Sequence, residues 1–90
     1  MKILKFREYK KNTLRGFIEV ELLSGMCIRD LTLHEKNGSR WIGYPSKPYE
    51  VDGTTKYQNQ VYFPDKEINA RFQKQVLTAV DAYLKDAYAT

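Results

Sequence analysis

Residues 14–35, LRGFIEVELLSGMCIRDLTLHE, decide the fold. The first half alternates. Leu14, Gly16, Ile18, Val20 and Leu22 share one parity, and Arg15, Phe17, Glu19 and Glu21 share the other. Successive side chains of a strand point to opposite faces, so this is a strand with one apolar and one mostly charged side. Such a strand belongs to an antiparallel sheet buried on one face. Ser24-Gly25 predicts a two-residue hairpin turn, because Gly supplies the positive φ such turns need. The return strand, residues 26–35, breaks its own parity: Met26 and Ile28 fall on one side, Leu31 and Leu33 on the other. One extra residue near Arg29-Asp30 brings both pairs to the core, so a β-bulge is expected there.

Working outward, residues 3–9 alternate with Ile3, Lys5 and Arg7 against Leu4, Phe6 and Glu8, which predicts another strand, followed by a polar turn at 10–13. Asn37-Gly38 signals a further hairpin. A short strand at 40–44 stops at Pro45, which has no N–H to donate. Residues 45–56 read as a long loop punctuated by Pro48 and Asp52-Gly53, and a strand is expected over 57–63. Pro64-Asp65 then opens a helix, with Asp65 as N-cap and Glu67 in the first turn, where a carboxylate suits the helix dipole. Ile68, Phe72, Val76, Val80 and Leu84 recur every four residues and, with Leu77 and Tyr83, form one apolar stripe. Lys66, Asn69, Gln73, Lys74, Asp81 and Lys85 fall on the other side. The stripe needs a partner, and the apolar face of the sheet is available. The expected fold is α+β: a curved antiparallel sheet of four to five strands with one C-terminal helix packed on it, a single domain over residues 1–90.

A 90-residue chain buries a modest core, and dimerisation is a common way to bury more. Its 42% hydrophobic and 29% charged residues are those of a folded domain rather than a disordered one. The net charge of +4 permits a polyanionic partner. The excess lies in the first fifteen residues, where Lys2, Lys5, Arg7, Lys10, Lys11 and Arg15 oppose Glu8 alone. Such an edge either faces phosphates or is a solvated edge strand whose lysines discourage aggregation. The single cysteine, Cys27, allows no internal disulfide and fits a reducing cytosol. The charged start is no signal segment, and no stretch approaches the ~18 apolar residues of a membrane span. A cytoplasmic protein without membrane partners is expected.

Catalysis needs converging polar groups, and the sequence offers none. His34, the only histidine, stands near a strand end as an expected surface residue. Cys27, among apolar strand residues, is expected to be a buried small hydrophobe. No Cys/His set has zinc spacing, and Gly38, Gly43 and Gly53 form no phosphate loop. The reading is therefore not an enzyme, with no catalytic residues, cofactor, metal or small-molecule substrate, and function falls to a surface. The candidate surface interleaves aromatic and basic residues: Arg40-Trp41, Tyr44, Lys47, Tyr49, Lys56-Tyr57 and Tyr62. That mixture can stack bases and neutralise phosphates. Trp41 and Tyr62, inside predicted strands, are expected to fill the core first. Tyr44, Tyr49 and Tyr57 stand open between packing and stacking. So many tyrosines also suit a protein–protein surface.

The run over residues 36–71, KNGSRWIGYPSKPYEVDGTTKYQNQVYFPDKEINAR, adds a resemblance. From about residue 14 to 83 the order of motifs resembles the stage V sporulation protein G (SpoVG, septation protein G) family. The order is Ile28-Arg29-Asp30-Leu31, the Asn37-Gly38 turn, Pro45-Ser46-Lys47, the Asp52-Gly53 turn, Phe63-Pro64 before the helix, and a basic residue, Arg71, near the helix start. Tyr44 stands where the family usually has Met, and Phe63 where it often has His, marking a divergent member. The resemblance implies a small bacterial homodimer that binds nucleic acid, DNA or RNA, as a regulator. On that reading Arg29, Arg40, Lys47, Lys56, Arg71 and Lys74 contact phosphates or bases, with Tyr44 or Tyr57 stacking. The alternative is a protein-interaction module that docks a partner through residues 45–57 without binding nucleic acid.

Overall fold

The computed structural model describes residues 1–88 and runs β1 (Lys2–Lys11), β2 (Leu14–Glu21), β3 (Cys27–Lys36), β4 (Ser39–Gly43), β5 (Ser46–Val51), β6 (Thr54–Asn59) and α1 (Lys66–Tyr88). The architecture is α+β. One antiparallel sheet has the order β1-β2-β3-β4, a second contains β5 and β6, and the helix packs on the first. The alternation of β2 appears directly as burial: Gly16, Ile18 and Val20 are buried, and the residues between them are not. With Ile3, Leu31, Leu33 and Ile42 they line the face that receives Phe72, Val76 and Val80 of the helix. The helix touches both edge strands, β1 and β4, so the sheet curls around it.

The bulge at Arg29-Asp30 is present. Ile18 pairs with Leu31 and Val20 with Ile28, so two residues of β3 stand against Glu19 alone, and Asp30 takes a φ of 63°. A second irregularity lies in β1. Ile3 pairs with Val20 and Lys5 with Glu19, leaving Leu4 as the extra residue. This bulge interrupts the uniform alternation expected over residues 3–9. It sends both Ile3 and Phe6 to the core, because the apolar face of β2 offers burial to both. The turn after β2 also differs from expectation. Leu22 N–H donates to Met26 O at 2.8 Å and Gly25 N–H to Leu22 O at 2.9 Å, which closes a three-residue loop, Leu23-Ser24-Gly25, instead of a two-residue one. Gly25, with φ of 90°, takes the left-handed position such a loop requires.

Residues 45–56 are not a loop. Asp52-Gly53 adopts φ values of 52° and 76°, the pattern of a type I′ turn, and folds β5 onto β6. The strand expected over 57–63 accordingly begins earlier and ends at Asn59. Pro48 is tolerated because it pairs with Tyr57 in the fourth rung from the turn, a position whose N–H side points away from the partner strand. Every residue of this hairpin is exposed, and among the described residues it has no set of contacts with the other elements.

The helix begins as expected: the Asp65 carboxylate accepts from Glu67 N–H at 2.8 Å and Ile68 N–H at 3.0 Å. Ile68 and Tyr83 lie at the exposed margin of the stripe. Asn69, Gln73 and Asp81, expected on the solvent side, instead form a polar seam along β4. The Gln73 amide accepts from Ile42 N–H at 2.6 Å and donates to Ile42 O at 2.8 Å. Ile42 stands opposite Leu33 at a site where its own N–H and C=O point off the sheet edge, so Gln73 supplies what a fifth strand would. Tyr44 hydroxyl donates to Asn69, and the Arg40 guanidinium makes paired bonds of 2.8 and 2.9 Å to Asp81.

Gln73→Ala leaves both Ile42 backbone groups without partners and is expected to destabilise the fold by about 1–3 kcal/mol in urea denaturation. Asp65→Ala is expected to lose about 1 kcal/mol through its cap. An unchanged midpoint for Gln73→Ala removes the seam from the account of stability.

Candidate functional site

The side of the first sheet opposite the helix carries the richest set of recognition groups. Strand parity and the β1 bulge direct Lys5, Arg7 and Tyr9 of β1 outward beside Phe17 and Glu19 of β2, Thr32 and His34 of β3, and Trp41 of β4. The Arg7 guanidinium carbon lies 4.8 Å from the centroid of the Phe17 ring. Tyr9 and Phe17 have centroids 5.9 Å apart. Across the sheet, His34 and Trp41 stack with centroids 5.4 Å apart and planes 7° from parallel.

The His34 ring is held in place. Its Nδ1 lies 2.9 Å from the Thr13 hydroxyl and its Nε2 2.9 Å from the Thr32 hydroxyl. Each hydroxyl can donate or accept, so the neutral imidazole is satisfied with either ring nitrogen carrying the proton. Partial burial pushes the His34 pKa below its usual value, favouring the same neutral form. Gly43 makes room for this arrangement, because a Cβ there would collide with Thr32 Oγ1 and come within 3.2 Å of His34 Nε2. Lys5, Arg7 and Arg29 border a depression of about 390 Å³ lined also by Phe17, Ile18, Glu19 and Asp30. Arg29 reaches Glu19 at 3.5 Å, yet its side chain remains 81% exposed.

Several expectations change here. Trp41 is not core: it lies on the outer face, 39% exposed, because the short strand β4 gives its inward position to Ile42. Tyr62 is exposed, since the chain beyond Asn59 is no longer strand. Cys27, at the first position of β3, is exposed rather than buried. His34 is a half-buried, doubly hydrogen-bonded residue rather than a free surface one.

The eight residues singled out from sequence fall in four places. Arg29 borders the outer-face depression. Arg40 and Tyr44 commit their polar groups to the helix seam. The Arg40 bonds hold the Asp81 carboxyl below its usual range, and burial raises the Tyr44 hydroxyl. The Tyr44 ring packs against Phe72, 6.0 Å away between centroids, and Phe63, 6.4 Å away. Lys47 and Lys56 share one face of the hairpin with Tyr49, whereas Tyr57, paired with Pro48, takes the opposite face. Arg71 and Lys74 rim a groove of about 840 Å³ beside the helix, lined by Leu22, Leu23, Phe63 and Phe72.

The fold therefore unites Lys47 with Lys56 and Arg71 with Lys74, but does not gather all eight into one cluster. The sequence places Arg7 in the basic N-terminal edge but does not single out Tyr9 or Phe17. Phe17 was visible as the one aromatic residue on the charged parity of β2, but placing Arg7 and Tyr9 beside it requires the register set by the Leu4 bulge. Among the described residues no cluster of three His, Cys, Asp or Glu side chains could hold a metal ion, and no helix is long and apolar enough to cross a membrane. Comparison with protein-family models, curated proteins and solved structures finds no match.

His34 carries a pH prediction. Its folded pKa lies below the unfolded value of about 6.5, so its contribution is complete above that value and is lost as pH falls through the lowered folded one. Urea midpoints measured between neutral pH and pH about 5 are expected to fall on acidification. In His34→Gln the part of that fall due to the imidazole is expected to vanish. An NMR titration that places the imidazole pKa at or above the unfolded value refutes the linkage.

Proposed function

We propose that this chain is a small nucleic-acid-binding regulatory protein of the SpoVG type, acting as a cytoplasmic homodimer. The observation that carries the reading is the outer sheet face, where Lys5, Arg7 and Arg29 border a depression beside Phe17, Tyr9 leans on Phe17, and the His34–Trp41 stack lies farther along the same face. Cations beside accessible rings match a ligand that alternates phosphate with base. The net charge of +4 and the motif order over residues 28–71 point the same way. Lys47 and Lys56 on the projecting hairpin, and Arg71 and Lys74 on the helix, are placed to extend phosphate contact beyond that face. Arg40 and Tyr44 have a supporting part, holding β4 to the helix beneath Trp41.

Two features support the homodimer. The outer edge of β1 is unpaired among the described residues, and Leu23 is 95% exposed at the rim of an apolar groove. A second copy can cover both kinds of surface. The same groove is the observation that favours the other reading, a protein-interaction module.

Fluorescence anisotropy with labelled oligonucleotides at two salt concentrations separates the two readings. Binding is expected to weaken steeply with salt, and Lys5→Glu with Arg7→Glu to lower the salt slope by about 2, roughly one per cation. Lys47→Glu with Arg71→Glu is expected to give a smaller loss. Absent or salt-independent binding turns the assignment toward a protein partner. Sedimentation equilibrium is expected to show a dimer, and a monomer throughout the micromolar range removes that part of the proposal.

A further inference from the structure

Deepening the nucleic-acid reading, on which the inference rests, we propose that the outer sheet face takes a single strand, with bases stacked on Trp41, on Tyr9 and on the Arg7–Phe17 pair. Trp41 and Tyr9 each pack on one aromatic partner and keep exposed surface. Trp41 lies flat against His34, itself pinned by Thr13 and Thr32, and is still 39% exposed. Tyr9 leans on Phe17 and is 48% exposed. A guanidinium over a ring, as Arg7 is over Phe17, offers a planar cation on which a base stacks.

Spacing selects the strand state. Tyr9 belongs to β1 and Trp41 to β4, three strand intervals apart, or about 14 Å at the usual interstrand distance. Bases in a duplex stack on one another at about 3.4 Å and hide their faces, so they cannot lie on rings this far apart. An unpaired strand can splay its bases across the sheet while its phosphates meet Lys5, Arg7 and Arg29. Charge complementarity is thus built beside Phe17, one of the rings that stack. DNA and RNA share this chemistry, and the 2′-hydroxyl distinguishes them.

Trp41 is the only tryptophan in the chain, so its emission reports on this face. The test titrates the protein with single-stranded DNA and RNA oligonucleotides of about a dozen nucleotides, within the usual site size for such grooves, and with the matching DNA duplex. Both single strands, or one of them, are expected to quench Trp41 emission, and the duplex to bind at least about tenfold more weakly. Tyr9→Ala and Trp41→Ala are each expected to reduce affinity about tenfold in anisotropy, while Trp41→Phe retains most of it. Tyr9, at the sheet edge, guards against a Trp41 variant that fails to fold, and circular dichroism checks both. Duplex binding as tight as single-strand binding overturns the inference. Salt-sensitive binding without quenching, unaffected by either alanine variant, overturns it while leaving the nucleic-acid reading on the hairpin or helix cations. No binding by any probe at low salt overturns both.

Discussion

The fold depends on the way α1 closes the sheet at β4. The apolar stripe of Phe72, Val76 and Val80 supplies most of the burial, but burial alone does not fix where a helix lies on a sheet. Gln73 does, by matching the N–H and C=O of Ile42 with its amide, as a neighbouring strand would. An edge strand left open invites another chain, and one side chain with both a donor and an acceptor removes that invitation at its centre. Arg40–Asp81 and Tyr44–Asn69 extend the seam on either side. With one edge secured and the helix also against β1, the sheet has a definite curl.

That closure settles which sheet face is available for recognition. The concave face is filled by the helix, so the convex face is the one that meets solvent. It carries a row of planar groups whose orientations are set by local partners: Arg7 by Phe17, His34 by two threonines, and Trp41 by His34. Side chains already held in place lose little freedom when a ligand arrives, which is what a stacking surface requires. The β5–β6 hairpin is built on the opposite principle. Its shape comes from a turn dipeptide and backbone pairing alone, it buries nothing, and a lone two-stranded hairpin is marginal in water.

How much was legible varies with the range of the forces involved. The bulge at Arg29-Asp30 could be read because the apolar parity of β3 changes there, a local signal of a local event. The Asp65 cap and the Asn37-Gly38 turn are local in the same sense. The Leu4 bulge could not be read, since residues 3–9 alternate plausibly in either register and only the demand of β2 for both Ile3 and Phe6 decides between them. The Asp52-Gly53 signal is present, but Pro48 and the short polar run after the turn read as a loop.

The sequence by itself determined the strands of the first sheet, the Asn37-Gly38 turn, the helix with its stripe and cap, and hence the α+β class, because each rests on steric and hydrogen-bonding preferences within a few residues. It also supplied the cations and rings. Only the tertiary structure decided which of them work together. Register across four strands brought Tyr9, Phe17, His34 and Trp41 onto one face, and helix docking drew Arg40 and Tyr44 away into the seam. Those outcomes depend on contacts between residues up to 41 positions apart, and no local propensity encodes them.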